Sequence, residues 1–183
     1  MTTVHIPGAG EFTEAAEGWQ EGEWTAFLSV GLLGEDREFV ILDDEPSRDA
    51  ERIAEFLSNF RGLAPSALDD LAPRIYDNYR EVIGLFDADE REGYGIPEIT
   101  GPSDVLDFVE IGYPHLEKDN RTDEWFIVLE NECEWEPEHG LQIVLRNGEE
   151  VTRVSQVDGF LRSDPEVSHS PSTSKMSATP VRM

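Results

Sequence analysis

Cysteine and lysine are the scarcest chemistry-bearing residues in this 183-residue chain: one cysteine, Cys133, and two lysines, Lys118 and Lys175. A lone thiol excludes an intramolecular disulfide and fits a reducing cytoplasm. No apolar run approaches the roughly 20 residues that a membrane helix needs. The opening "MTTVHIPGAGEFTEAAEGW" lacks both a basic start and an apolar stretch, so it does not read as a signal peptide. Bases are few as a class. Fourteen Lys and Arg stand against forty Asp and Glu, a formal net charge of -26. Nucleic acid and anionic membrane surfaces both require a basic face, so neither is expected as a partner. An EF-hand loop, an H-E-x-x-H pair, paired cysteines, a phosphate loop and an internal repeat are all missing. No cofactor or metal is therefore expected. Three uses remain for the acid excess: solubility, adaptation to salt, and attraction of a basic partner.

Hydrophobic period divides the chain. Residues 1–22 are rich in Gly, Glu and Ala with weak patterning and read as a loose arm, with room for one short strand. From Trp24 the residues Trp24, Ala26, Leu28 and Val30 alternate with Thr25, Phe27 and Ser29, the period of a strand. A turn at Gly34-Glu35-Asp36 leads to a second strand, Glu38 to Leu42, completing a hairpin. "EPSRDAERIAEFLSNFRG" is a helix with Ser47 as its cap, Ile53, Phe56, Leu57 and Phe60 as one apolar stripe, and Gly62 as its stop. Leu68, Leu71, Ile75, Tyr79, Val82 and Phe86 keep a helical period through a second stretch, which Pro73 is expected to kink or split. "DADEREGYGIPEITGP" reads as a loop, Ser103 as the cap of a short helix, and Val109 to Leu116 as a strand. "EWFIVLENE" is apolar on both faces, so it belongs in the middle of a sheet. Asn147-Gly148 marks a two-residue hairpin that pairs Arg146 with Glu149 and Leu141 with Val154. Residues 163–183 are Ser, Thr and Pro without period and are expected to be disordered. The expected fold is α+β: one domain over residues 23–162, with an N-terminal hairpin and a C-terminal meander in an antiparallel sheet, and two or three helices on one face.

The chemistry concentrates at "ENECEWEPEHG". Glu130, Glu132, Glu134, Glu136 and Glu138 alternate and would share a face while the chain is extended; Pro137 ends that stretch. Three accounts are open. The stretch is a strand leaving the core with its acids in water, Trp135 packed across the hairpin and His139 on a loop carbonyl; or a cation site of carboxylates with His139; or a recognition surface in which Trp135 is ringed by acids. Cys133 and His139 are six residues apart on a turning chain, a poor nucleophile–base pair. The binding patch expected from these residues is Glu134, Trp135, Glu136, Glu138 and His139.

Trp135, Glu136, Glu138, His139, Gly140 and Leu141, followed by the Asn147-Gly148 turn, resemble the W-[DE]-x-E-H-G-L hairpin of the uncharacterised bacterial DUF6985 domain family. About 40 residues carry the likeness. Relatives in that family have a second cysteine where this chain has Asn131, so paired-thiol chemistry is not implied. Small acidic proteins of this kind look like immunity proteins of bacterial toxin systems, an analogy of type alone. Two functions are thus expected to compete. One is a non-enzymatic cytoplasmic interaction module, with neutralisation of a basic toxin or effector as its finer form. The other is a metal-assisted hydrolase acting through Glu134, Glu136, Glu138 and His139.

Overall fold

The computed structural model describes residues 2–16, 21–119 and 121–162. Among them are nine strands and three α-helices. β1 (Thr3–Ile6), β2 (Gly10–Glu14), β3 (Trp24–Val30) and β4 (Glu35–Leu42) come first. A 3-10 turn, Pro46–Asp49, opens α1 (Ala50–Arg61), and α2 (Ser66–Ile83) and α3 (Ala88–Tyr94) follow. A second 3-10 turn, Val105–Phe108, leads to β5 (Val109–Glu110), β6 (Pro114–Asp119), β7 (Glu124–Cys133), β8 (Leu141–Arg146) and β9 (Glu150–Gln156). The result is an α+β fold with one mostly antiparallel sheet, ordered β1-β2-β3-β4-β6-β7-β8-β9, and β5 beside β7.

Period decides the inner face. Trp24, Leu28 and Val30 of β3 are buried with Phe39 and Ile41 of β4, and with Ile127 and Leu129 of β7 and Ile143 of β8. The stripe of α1, Ile53, Phe56, Leu57 and Phe60, packs into the same core, with the Phe60 ring edge-on to Phe39 at 5.6 Å. Strand β7 is central, as its two apolar faces require: β6 and β8 flank it.

One pair departs from the antiparallel expectation. β4 and β6 run parallel, Val40 beside His115 and Leu42 beside Glu117. All three helices lie between them in sequence, and a crossover of that length returns the chain in the same direction. The described N-terminal residues, 2–16, are not a loose arm with one short strand. β1 and β2 form a hairpin that extends the sheet beyond β3, with Ile6 and Phe12 inaccessible to solvent. Pro73 does not split α2, which continues through it: Pro73 faces water, where the lost backbone bond is least costly. The segment read as a loop after Phe86 holds α3, with a capping box between Asp87 and Glu90. Ser47 does not cap α1. The helix begins after Asp49, whose carboxylate accepts from Lys118 Nζ at 2.9 Å and Trp125 Nε1 at 3.2 Å instead. Ser103 likewise makes no cap bond, since Asp104 stands at the start of the second 3-10 turn. The disordered tail expected from residue 163 lies outside the described residues.

The Asn147-Gly148 tip is where the sequence places it, but its register differs. Both residues have positive φ, 55° and 76°, and Glu149 N–H donates to Arg146 O at 3.3 Å. Strand pairing starts one residue later, Arg146 with Glu150, and a bulge at Val144/Leu145 adds a second shift, so Leu141 faces Gln156 and not Val154. Docking on α1 holds this turn: Asn59 Nδ2 donates to Asn147 O at 2.9 Å. A Cβ on Gly148 would lie 2.3 Å from Phe56 O, and its φ disfavours any side chain. Gly148→Ala is expected to lower the unfolding free energy by about 1–3 kcal/mol in a urea melt.

The helix-free face is half covered. Phe126, Val128 and Val144 form a second small cluster there with Leu161. Gln142 Nε2 donates to Phe160 O at 2.8 Å, and the Arg162 guanidinium lies 5.5 Å from the Phe126 ring centre while pairing with Asp119 and Glu124. Phe160–Arg162 thus lie over the β7–β8 part of this face. Around Phe27 of β3, Asp36–Glu38 of β4 and the end of β7 the described residues leave the face open, while Val40 farther along β4 is buried.

Candidate functional site

A cleft of about 1160 Å³ occupies that open half. A bend in the β5–β6 strand shapes it. Val109 pairs with Cys133 and Glu110 with Glu132, whereas Pro114 pairs with Leu129. Residues 111–113 therefore oppose only Glu130 and Asn131, a one-residue bulge that breaks the strand expected from Val109 to Leu116. Gly112 permits it, since a Cβ there would lie 1.9 Å from Glu130 O. Asn131 fixes it: its Oδ1 accepts from Gly112 N–H at 3.3 Å, and its Nδ2 donates to Leu129 O and Leu141 O. Below the bulge β4 loses its partner, so pairing with β6 spans only Val40–Leu42. The cleft runs between Asp36–Glu38 of β4 and residues 107–113, then past β7 to the turn after it.

Its walls are acidic. β4 supplies Asp36 and Glu38; the approach to β5 and β5 itself supply Asp107 and Glu110; β7 supplies Glu130 and Glu132; and the following turn supplies Glu134, Glu136 and Glu138. Among the described residues the only Arg or Lys lining it is Arg37, which is already paired with Glu35 at 2.6 Å. Apolar surface is mixed in: Phe27 stands 73% exposed on β3, opposite Glu38 in the register. The local field is visible on Tyr113, whose phenol is pushed up chiefly by burial and then by Glu130, Glu23 and Glu38. Burial likewise raises the Glu23 carboxyl, with His115 acting against it.

Four of the five expected patch residues meet at this cleft: Glu134, Glu136, Glu138 and His139. Trp135 does not. It is 1% exposed, its ring edge-on to Tyr79 at 5.7 Å and its Nε1 donating to buried Asn78 at 3.2 Å. β7 ends at Cys133, and the turn that follows sends Trp135 inward onto α2. It is therefore a core residue and not a surface anchor. The alternating glutamates share the cleft without sharing one strand, because Glu130 and Glu132 lie on β7 and the rest on the turn.

Within the turn, Gly140 N–H donates to Glu136 O at 2.8 Å, and His139 Nδ1 meets Glu136 Oε1 at 3.2 Å. Among the described residues no three His, Cys, Asp or Glu side chains converge as metal ligands, so Glu134, Glu136, Glu138 and His139 do not form a ready-made set. Cys133 is buried with its Sγ 3.9 Å from Glu136 O, and burial pushes its thiol up to about 11. Such a thiol is almost wholly protonated at neutral pH and is a weak nucleophile. Iodoacetamide at pH 7.5 is expected to leave the native protein unlabelled and to label it once guanidinium unfolds it. Rapid labelling of the native state would show an activated cysteine.

The acids of β4 and β5, with Tyr113 and Phe27, were not legible as site residues. One signal was present: Phe27 is a large aromatic at an outward position of an alternating strand.

No described helix is long and apolar enough to cross a membrane. Neither the curated proteins nor the solved structures contain a match to the chain. A family model does match, over residues 8–161, from the turn of the first hairpin to the segment that covers the helix-free face. The chain therefore belongs to the family described as Domain of unknown function (DUF6985).

Proposed function

We propose that this protein is a non-enzymatic interaction module whose acidic cleft receives a basic protein partner. One observation carries the reading. Among the described residues, nine carboxylates and a single arginine line a concave surface that also exposes Phe27. Scattered acids suffice for solubility. Acids gathered in a concave site focus the field and draw in a cationic ligand. An apolar ring beside them supplies contact area, since hot spots combine buried aromatics with a charged rim. The finer reading is an immunity-type role in a bacterial cytoplasm, neutralising a basic toxin or effector. The unpaired thiol of Cys133 fits that compartment.

The test is affinity capture from the producing cells at low salt, with the native chain and with a variant carrying Glu130→Gln, Glu132→Gln, Glu134→Gln and Glu138→Gln. A basic protein retained by the native chain and lost by the variant is expected. The variant should fold as well as the native chain, because like charges are removed from one surface. Identical captures by the two proteins would leave the acids to solubility or salt adaptation.

A further inference from the structure

We infer that the partner's segment enters this cleft as an extended strand and pairs with the free edge of β4 at Glu35–Phe39. The inference rests on the basic-partner reading above and specifies its geometry. β4 is paired with β3 from Glu35 to Ile41, but with β6 only from Val40 to Leu42. Among the described residues, no strand pairs with the second edge of Glu35–Phe39, and that edge borders the cleft. An unpaired edge is a template for an added strand.

The outer edges of the sheet are treated differently. On β9, Arg74 Nη1 donates to Val151 O at 2.6 Å, occupying one edge carbonyl. β1 is only four residues long. Glu35–Phe39 carries no proline, and its charges, Glu35, Asp36 and Glu38 against Arg37, guard the edge against neutral or acidic strands but not against a basic one. It is an interior edge, opened by the bulge at residues 111–113 and not by the end of the sheet.

Register tells which side chains an added strand would present. Asp36 and Glu38 lie on the helix-free face, since Glu38 pairs with Phe27 and Asp36 with Ser29. Across the cleft Glu110 of β5 pairs with Glu132 and so lies on the same face, with Glu130 and Glu132 of β7 behind it. Every second residue of the incoming strand would thus meet carboxylates from both sides. Lysine or arginine at alternate positions fits, and the residues between them face the Phe39 side, where small apolar groups fit. Charge also decides among occupants. A second copy of this chain would bring Glu35, Asp36 and Glu38 against their own counterparts in a molecule of net charge -26. Residues 163–183 carry Asp164 and Glu166 against Lys175 and Arg182, so charge gives them no advantage.

The experiment pans a random decapeptide display library on the full chain. The best hit is then synthesised with free backbone amides and with each alternating set of amides N-methylated, which blocks strand pairing and leaves charge untouched. Enriched peptides are expected to carry Lys or Arg at alternate positions. Methylating one of the two sets should weaken binding about 30-fold, the loss of two or three hydrogen bonds. The amides of Glu35–Phe39 that point away from β3 should exchange freely in the unbound protein, while those paired with β3 are protected, and the former should slow by about tenfold or more when the unmodified peptide binds. Basic peptides that bind with no sensitivity to methylation, and no added protection on β4, overturn the strand geometry and leave the basic-partner reading standing. Selection that enriches no basic peptides overturns both. Slow exchange on this edge in the unbound protein overturns the free edge, and points to a second copy or the chain's own last residues as its occupant.

Discussion

Trp135→Ala is expected to remove about 3–5 kcal/mol of unfolding free energy, the cost of truncating a buried aromatic. Trp135 is sealed between the end of β7 and α2, edge-on to Tyr79. Tyr79 is itself tied in place: its hydroxyl donates to Pro97 O and accepts from Ile99 N–H, both at 3.0 Å. Removing the indole opens a cavity in that contact and leaves the buried Asn78 carbonyl without its donor, which adds a desolvation cost. Trp135→Phe restores most of the volume but not the donor, and should cost less, about 1–3 kcal/mol. Urea melts at constant m report both values. A loss below about 1 kcal/mol for Trp135→Ala would mean that the indole faces solvent and is free to act as a partner anchor.

A chain starting at Ala15 is expected to lose cooperative unfolding altogether. The deletion takes away β1 and β2, with Ile6 and Phe12 from the core. It exposes the outer edge of β3 and removes Gly8 O, which accepts from Arg61 Nη1 at 3.0 Å. Truncating two fully buried side chains costs about 5–10 kcal/mol by the usual scale for such sites. That is comparable to the whole stability of a domain of this size. Far-UV circular dichroism during a thermal scan distinguishes the outcomes. A sharp transition near that of the full chain would show that these residues are the loose arm suggested by their composition.

What could be read from residues alone tracks how local the cause is. The β3 alternation, the apolar stripe of α1 and the doubly apolar β7 each rest on neighbours within one element, and each took its expected place. One helix was missed, and a hairpin was expected only as one short strand, although their signals are local. Asp87 and Glu90 form the capping box of α3, but that helix buries no side chain, so the hydrophobic period that marks other helices is missing. Val4, Ile6 and Phe12 belong to a hairpin whose strands are too short for alternation to stand out beside the Gly-rich turn.

The cleft divides along the same line. Glu130 to His139 is continuous in sequence and was visible as one acidic run. Asp36 and Glu38 reach it only because three helices return the chain parallel to β4. The depth of the cleft depends on a bulge set by Gly112 against Glu130, which no periodicity announces. Trp135 is the clearest error. Surrounded by acids in sequence, it takes the place of an exposed anchor in the recognition-surface reading, and what buries it, Tyr79 and Asn78, lies more than 50 residues upstream.

The central claim, that the cleft acids act by drawing in a cationic protein, is tested most directly by association kinetics. The captured partner's association rate with the native chain and with the variant carrying Gln at 130, 132, 134 and 138 is measured from about 10 mM to 200 mM salt, a span over which the screening length falls from roughly 30 Å to below 10 Å. The native rate is predicted to fall by about tenfold or more across that range, while the variant starts slower and changes little. Equal rates with equal salt slopes for the two proteins would contradict the claim.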